Sequence, residues 1–344
     1  MKKRKILGIA LLASMLFMTA CSGKGTNTKE AAPAQANSDA LTIKIGHVEP
    51  ENRSTHKALV EFKKNVEEKS EGKLNIEIFP NGSLGGDVQM TESVAMGTLD
   101  ATLPSSSVLT TYSEEFGILD MPWLFLSSED AFEALDGDVG EYFNKKLEDQ
   151  GIKCLGYVYN GPRSTTTNSG PIEKPEDLEG VKMRVMESPI FIDFYKTLGA
   201  NPTPMSFTEL YTGLQQGTVE AQENPPSLTF ANKFYEVQKY QTIDEHVHNF
   251  LPFIINKGVY DNLSDDLKDI LDEEAKEYVK LQREMELKDN EQAIKDLEEV
   301  GGLETNILDN DQKQVFKDAV APMYDKYKAK FGEELFEMCE KYNK

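Results

Sequence analysis

Five arginines stand among thirty-two lysines in this chain, and three of the five fall where a ligand could meet them. Arg53, Arg163 and Arg184 are expected in loops or at strand ends, whereas Arg4 belongs to the N-terminus and Arg283 to a long helix. Lysine suffices on a solvated surface; arginine adds a rigid two-pronged donor that matches a carboxylate. Arg184 stands in an apolar-alternating strand (Val181, Met183, Val185), where a charge is costly without a partner. Arg163 follows Gly161-Pro162 and precedes Ser164 and three threonines, a donor-rich turn. For either alone, an internal ion pair with one of the 59 acids is the simpler explanation. Two at predicted cleft positions make carboxylate binding the better reading.

Signals for catalysis are thin. The chain has no G-x-S-x-G, H-E-x-x-H or Walker-type loop. His246-Val247-His248 could set two imidazoles on one strand face, but no third metal ligand is evident nearby, so surface or hinge histidines are expected. His47 and His56 have no nucleophile beside them, and Gly85-Gly86-Asp87 reads as a loop and helix cap. Cys154 and Cys339 follow no metal spacing and are expected as two separately buried thiols, with a disulfide as the alternative. No metal or cofactor is expected, and no catalytic residue is assigned.

The elements that would position the arginines occur twice. Strand Leu41–Val48, a helix over about Ser54–Ser70 with Leu59, Val60, Phe62 and Val66 as its apolar face, strand Leu74–Phe79, a helix from Asp87 to Met96 and a strand from Thr98 form one series. Strand Val181–Met186, a helix capped by Ser188-Pro189, a helix opened by a capping box at Ser206–Glu209 and a strand from Thr218 form the other. Gly97-Thr-Leu-Asp-Ala and Gly217-Thr-Val-Glu-Ala recur at the same place in the two series. Alternating strands and helices predict α/β layers with mainly parallel sheets, here two lobes with a cleft between them. Ligands sit outside the carboxyl ends of such strands, which nominates His47 to Arg53, Ser105 to Ser107, Arg184 to Glu187 and Glu223-Asn224-Pro225. Residues 264–300 hold no proline and no glycine before Val300, predicting a helix of about 55 Å that straps the lobes, with Leu267, Ile270, Leu271 and Leu281 on its apolar stripe. The segment 311–344 reads as helix interrupted at Pro322 and Gly332.

Composition bounds the rest. With 344 residues and 39% hydrophobic content the chain can build two cores, and a net charge of −22 argues against nucleic acid or anionic lipid as a partner. Lys2 to Lys5 form a basic head before an uncharged apolar stretch, Ile6 to Ala20, too short for a membrane span but suited to secretion. Met18-Thr-Ala-Cys21 resembles the lipobox of bacterial lipoproteins, which implies a signal peptide over 1–20 and lipidation of Cys21. Losing four positive charges from −22 leaves the mature chain near −26. Residues 21–40 then read as a lipidated end and flexible tether.

Taken together, the motifs resemble the DctP-type solute-binding proteins of TRAP (tripartite ATP-independent periplasmic) transporters over nearly all of residues 41–330. The carriers are Ile45-Gly46-His47, Phe79 to Asp87, Leu119 to Phe125, Gly161-Pro-Arg163, Leu178 to Val185, and Glu209 to Gly217 running on to Glu223-Asn-Pro225. The resemblance implies a two-lobed periplasmic-binding-protein-like α/β fold with a long helix crossing both lobes. Lobe 1 would span 41–160 with about 249–288, and lobe 2 161–248 with about 289–344. It implies an extracytoplasmic receptor, expected as a monomer, that closes on a small organic acid and delivers it to TRAP membrane subunits without being an enzyme. A sensory or adhesive lipoprotein on the same scaffold, or a secreted lipoprotein enzyme, are the competing readings. Carried over, Arg184 would pair with the ligand carboxylate, Arg163 would be a second cationic contact and Asn224 an amide that bonds the ligand. Trp123, Ser105, Ser106 and His47 would shape specificity from the first lobe. The Ser105-Ser106 turn lacks the acid found in sialic-acid binders, leaving C4-dicarboxylates and sugar acids, with the polar loop His47, Glu49, Asn52, Arg53 favouring a hydroxylated acid.

Overall fold

The computed structural model describes residues 40–344; the segments expected as signal peptide (1–20) and tether, with Cys21, lie outside the described residues but for Ala40. The first series comprises β1 (Leu41–Gly46), α1 (Ser54–Lys69), β2 (Leu74–Phe79), α2 (Asp87–Ala95) and β3 (Ala101–Thr102). Helices α3 (Ser128–Asp136) and α4 (Asp138–Glu148) lead into the long strand β4 (Ile152–Thr167). The second series is β5 (Lys182–Val185), α5 (Pro189–Thr197), β6 (Asn201–Pro204), α6 (Phe207–Gln215) and β7 (Ala221–Asn224). The chain closes with α7 (Pro226–Ala231), β8 (Tyr240–Asn256), α8 (Lys257–Asp261), α9 (Asp265–Glu299), β9 (Glu304–Ile307), α10 (Asn310–Phe331) and α11 (Glu333–Glu340).

One sheet runs β2-β1-β3-β8-β4-β7-β5-β6, with β9 beside β8. Pairing is parallel within each series, and the two long strands β4 and β8 run antiparallel to each other and to β7 and β3. These two strands traverse both lobes, which local periodicity did not reveal. Their ladder is broken by bulges at Cys154/Gly156, Tyr159/Gly161 and Arg163/Thr165. Each bulge bends its strand and raises its twist.

The internal repeat extends to individual hydrogen bonds. Gly97 (φ 73°) and Gly217 (φ 69°) both take the left-handed conformation that ends a helix. The N–H groups of Thr98 and Thr218 then bond back to the carbonyls of Ser93 and Gly213. Asp100 accepts the N–H of Lys44 at the heart of β1, and Glu220 accepts that of Lys182 at the start of β5. The two strands begin at Ala101 and Ala221, three residues later than the threonines at which the periodicity placed them.

Helix α9 crosses both lobes. Its inward residues follow one another at three and four, through Leu267, Leu271, Ala275 and Tyr278 to Gln282, Glu286, Asn290, Ala293 and Leu297. The apolar end joins Phe62 of α1 and Phe253 of β8 in an aromatic cluster with Tyr278, while the middle of the buried stripe is polar. Leu281 and Val60, expected on apolar faces, point to solvent instead, since each sits a turn-phase away from the buried row. Pro322 does not break α10: it lies inside the helix, which ends at Gly332 (φ 90°). Cys154 and Cys339 are free and buried.

Candidate functional site

At the carboxyl ends of the parallel strands the two series face each other across a narrow cavity of about 30 Å³, room for about two waters. The first series supplies Val48 and Glu49 from the loop after β1, and Asp87 from the first turn of α2. The second supplies Arg184 and Met186 at the end of β5, Ser206 and Phe207 at the start of α6, and Asn224 at the end of β7; Asn160 and Arg163 enter from β4. Gly86 packs so closely on Ser206 that a Cβ there would lie 2.6 Å from the hydroxyl, and one at Gly82 would lie 2.8 Å from Thr208. Ser206 does not cap α6 as a capping box would; its hydroxyl bonds Thr208 at this contact between the halves.

Arg184 is buried, with 2% of its surface exposed. Nε and Nη2 both donate to the carbonyl of Met205, at 3.0 and 2.8 Å, while Nη1 has no partner. Burial holds its pKa down to about 10, and the neighbouring Arg163 adds to the effect, opposed by Glu223 and Asp87; the group is still cationic at neutral pH. Two nitrogens clamp the guanidinium plane, and Nη1 is left buried and unbonded on a residue that lines the cavity.

Arg163 is arranged differently. Nη2 donates to Glu223 Oε1 at 2.7 Å and to Asn224 Oδ1 at 3.0 Å, and Nε donates to Glu223 Oε2. The internal ion pair weighed for both arginines is therefore present at Arg163 and absent at Arg184. Glu223 Oε2 also lies 3.4 Å from His246 Nε2, whose Nδ1 is 3.0 Å from Asp244. Burial raises and its cationic partners lower the Glu223 carboxyl, with a net fall. Burial alone would depress His246, but Asp244 and Glu223 hold it at about 9 against 6.5 unfolded. A raised pKa of this size contributes on the order of 3 kcal/mol, in full below pH 6.5 and lost as pH rises to 9. The melting temperature should accordingly fall between about pH 7 and 9.5, and His246→Gln should flatten that slope; equal slopes would locate the effect elsewhere.

The other nominated residues occupy separate environments. Arg53 is saturated by Glu49, Glu286, Ser227 and Asn160, tying the first lobe's loop to α9, α7 and β4. His47 is buried, with Nε2 3.1 Å from His56 Nδ1, and burial pushes it down to about 3. Ser105 bonds Asn249 and approaches Met186 of the opposite series, while the Ser106 hydroxyl is buried without a partner. Trp123 lies away from the cavity, with φ 57°, its N–H on the His246 carbonyl and its ring against Phe194 and Phe316. It lines a second space of about 590 Å³ with Tyr159 and His248. His246 and His248 do not share a partner set, since His248 bonds Tyr159; His246 is fully buried rather than at a surface. Among the described residues no group of three metal-ligating side chains is present. Asp87 and Asn160 were missed as site residues: Asp87 reads as a helix cap in sequence, and only the contact of Gly86 with the other half carries it to the cavity.

A cleft between two α/β series bridged by crossing strands, with a clamped cation at its wall, defines a two-lobed binding protein. Residues 45–330 match the family described as Bacterial extracellular solute-binding protein, family 7 (DctP), and the chain belongs to that family. It is an extracytoplasmic solute-binding protein. It is 34% identical over 281 residues to the 2,3-diketo-L-gulonate-binding periplasmic protein YiaO of Escherichia coli (strain K12), covering 82% of this chain and 85% of that one. The sugar acid binding protein DctPAm of Advenella mimigardefordensis, solved with galactonate, superposes with a TM-score of 0.85 at 34% identity, covering 89% of this chain and 99% of that one. A TRAP periplasmic solute binding protein of Shewanella oneidensis with bound succinate gives 0.86 at 26% identity, covering 89% and 100%. Among the described residues no helix is long and apolar enough to cross a membrane.

Proposed function

We propose that this chain captures a small organic acid, a C4-dicarboxylate or a sugar acid, outside the cytoplasm and delivers it to TRAP-type membrane subunits. The observation that carries this reading is Arg184, a buried cation lining the cavity with no carboxylate partner and with Nη1 unbonded. A buried charge is tolerated when something pairs it, and a ligand carboxylate would. Arg163, bound to Glu223, then acts by holding Asn224 in place, and Asn224 bonds the ligand. His47, Ser105 and Ser106 back the first-lobe wall, and Trp123 serves as an anchor of the core beside the hinge.

Lobe 1 comprises 41–160 with about 249–288, and lobe 2 comprises 161–248 with about 289–344. The boundaries are supported by Gly161 pairing with Asn249 next to a bulge in the crossing strands. A cavity of about 30 Å³ is far below the roughly 300 Å³ of a small-molecule pocket, so a ligand enters by opening this hinge. The protein works as a monomer tethered by lipid on Cys21 after cleavage of residues 1–20. Solution scattering tests the hinge: the ligand-saturated protein should be more compact than the ligand-free one, and equal radii of gyration would mean a rigid pocket. Gly86→Ala puts a methyl group against Ser206, so closure should cost about 1 kcal/mol, several-fold in affinity; unchanged affinity would remove this contact from closure. Dialysis against a chelator should leave organic-acid affinity intact, and a loss restored by one divalent ion would contradict the cofactor-free reading.

A further inference from the structure

The two walls of the cavity carry opposite unmatched groups. On the second-lobe wall Arg184 Nη1 is buried without a partner. On the first-lobe wall Asp87 Oδ1 is also buried without one, and Glu49 lies on the same side. The cations that might offset these acids are engaged elsewhere. Arg53 is shared between Glu49 and Glu286, which leaves that trio one negative charge in excess. Arg163 is matched by Glu223. Glu187, at the cavity rim beyond β5, adds a further acid. Among the described residues that line the cavity, only Arg184 offers positive charge to a bound molecule, from the second-lobe wall.

From this juxtaposition we infer that the cleft takes an acid with a single carboxylate and hydroxyl groups at its far end, and that Asp87 is the residue that discriminates against a second carboxylate. The inference rests on the organic-acid reading above and narrows its ligand class. A ligand spanning the cleft with its carboxylate on Arg184 directs its other end at Asp87 and Glu49. A hydroxyl there donates to Asp87 Oδ1 and meets the orphan acceptor with a charge-assisted bond. A carboxylate there has no proton to give and faces two carboxyl groups in a desolvated space, where like charges disfavour one another. Burial, with Glu49 adding to it, pushes the Asp87 carboxyl up to about 7, while Ser105 and Arg184 hold it down; above that pH the first-lobe wall carries its charge. Asn160, Ser206 and Asn224 supply further polar atoms for hydroxyls, and Val48, Phe207 and Leu228 supply apolar surface for the carbon chain.

The test is calorimetry on the full mature chain with matched pairs that differ only in the second carboxylate: erythronate against tartrate, gluconate against glucarate, and galactonate against galactarate. The monocarboxylate of at least one pair should bind at least tenfold more tightly than its dicarboxylate partner. Asp87→Asn, which keeps the shape and removes the charge, should weaken the hydroxy acid about tenfold and narrow the ratio within the pair at least threefold; Asp87→Ser should narrow it in the same direction. Melting curves of both variants check that they are folded. Equal or tighter binding of the dicarboxylate, or a ratio that neither folded variant changes, overturns the inference and leaves the organic-acid reading standing. Failure of every acid in the panel overturns both.

Discussion

Arg184→Lys should weaken organic-acid binding by about tenfold to more than a hundredfold, and Arg184→Ala by at least as much. In the native protein two nitrogens of Arg184 are spent on one carbonyl, that of Met205, and this fixes the plane in which Nη1 meets the cavity. An ammonium has no fixed plane and a shorter reach; it can satisfy the Met205 carbonyl or a ligand, but not both in one geometry. A charge-assisted bond is worth about 1.5–3 kcal/mol, and more when its loss leaves the other charge buried. Calorimetry reads the effect directly. Unchanged affinity in both variants would remove Arg184 from the binding site.

Glu223→Gln should lower the melting temperature more than any substitution at the cavity surface. The change strips Arg163 of its bidentate partner and takes a carboxylate from beside His246, leaving buried positive charge uncompensated. Removing one partner of a buried pair costs about 3–5 kcal/mol, which corresponds to roughly 6–15 °C in a chain of this size. The double variant Arg163→Met, Glu223→Leu should recover part of that loss, because an apolar pair of similar volume leaves no charge stranded. Thermal melts of the single and double variants decide the matter. If Glu223→Gln melts normally yet loses ligand affinity, Glu223 and Arg163 belong to the ligand rather than to the scaffold.

The contrast between these two arginines marks how far the sequence could be read. Both follow the signals expected of a carboxylate site, a scarce residue type at a strand end for Arg184 and in a donor-rich turn for Arg163, which the structure instead places inside β4. What separates them is the side chain of Glu223, sixty residues away, which reaches Arg163 and not Arg184. No local pattern encodes that choice. The duplicated series was legible because Gly97 and Gly217 end helices by the same backbone requirement and Asp100 and Glu220 hold the following strand in the same way. The 35-residue span of α9 was legible from its lack of helix breakers. The crossing strands β4 and β8 were not, since their bulges and glycines interrupt the period-two pattern where they bend between lobes. Asp87 looks like an ordinary cap from its neighbours, and only the packing of Gly86 on Ser206 makes it a cavity residue. Trp123, singled out as the sole tryptophan, is held by the carbonyls of His246 and Asp244 in β8 and does not line the cavity.

The central claim, reversible capture of an organic acid without chemistry, is met most directly by titrating the mature chain with a panel of sugar acids and C4-dicarboxylates and recovering the bound molecule. The account predicts that at least one acid binds saturably, raises the melting temperature, and is released chemically unchanged after denaturation. No saturable binding by any acid, or recovery of a converted product, would contradict it.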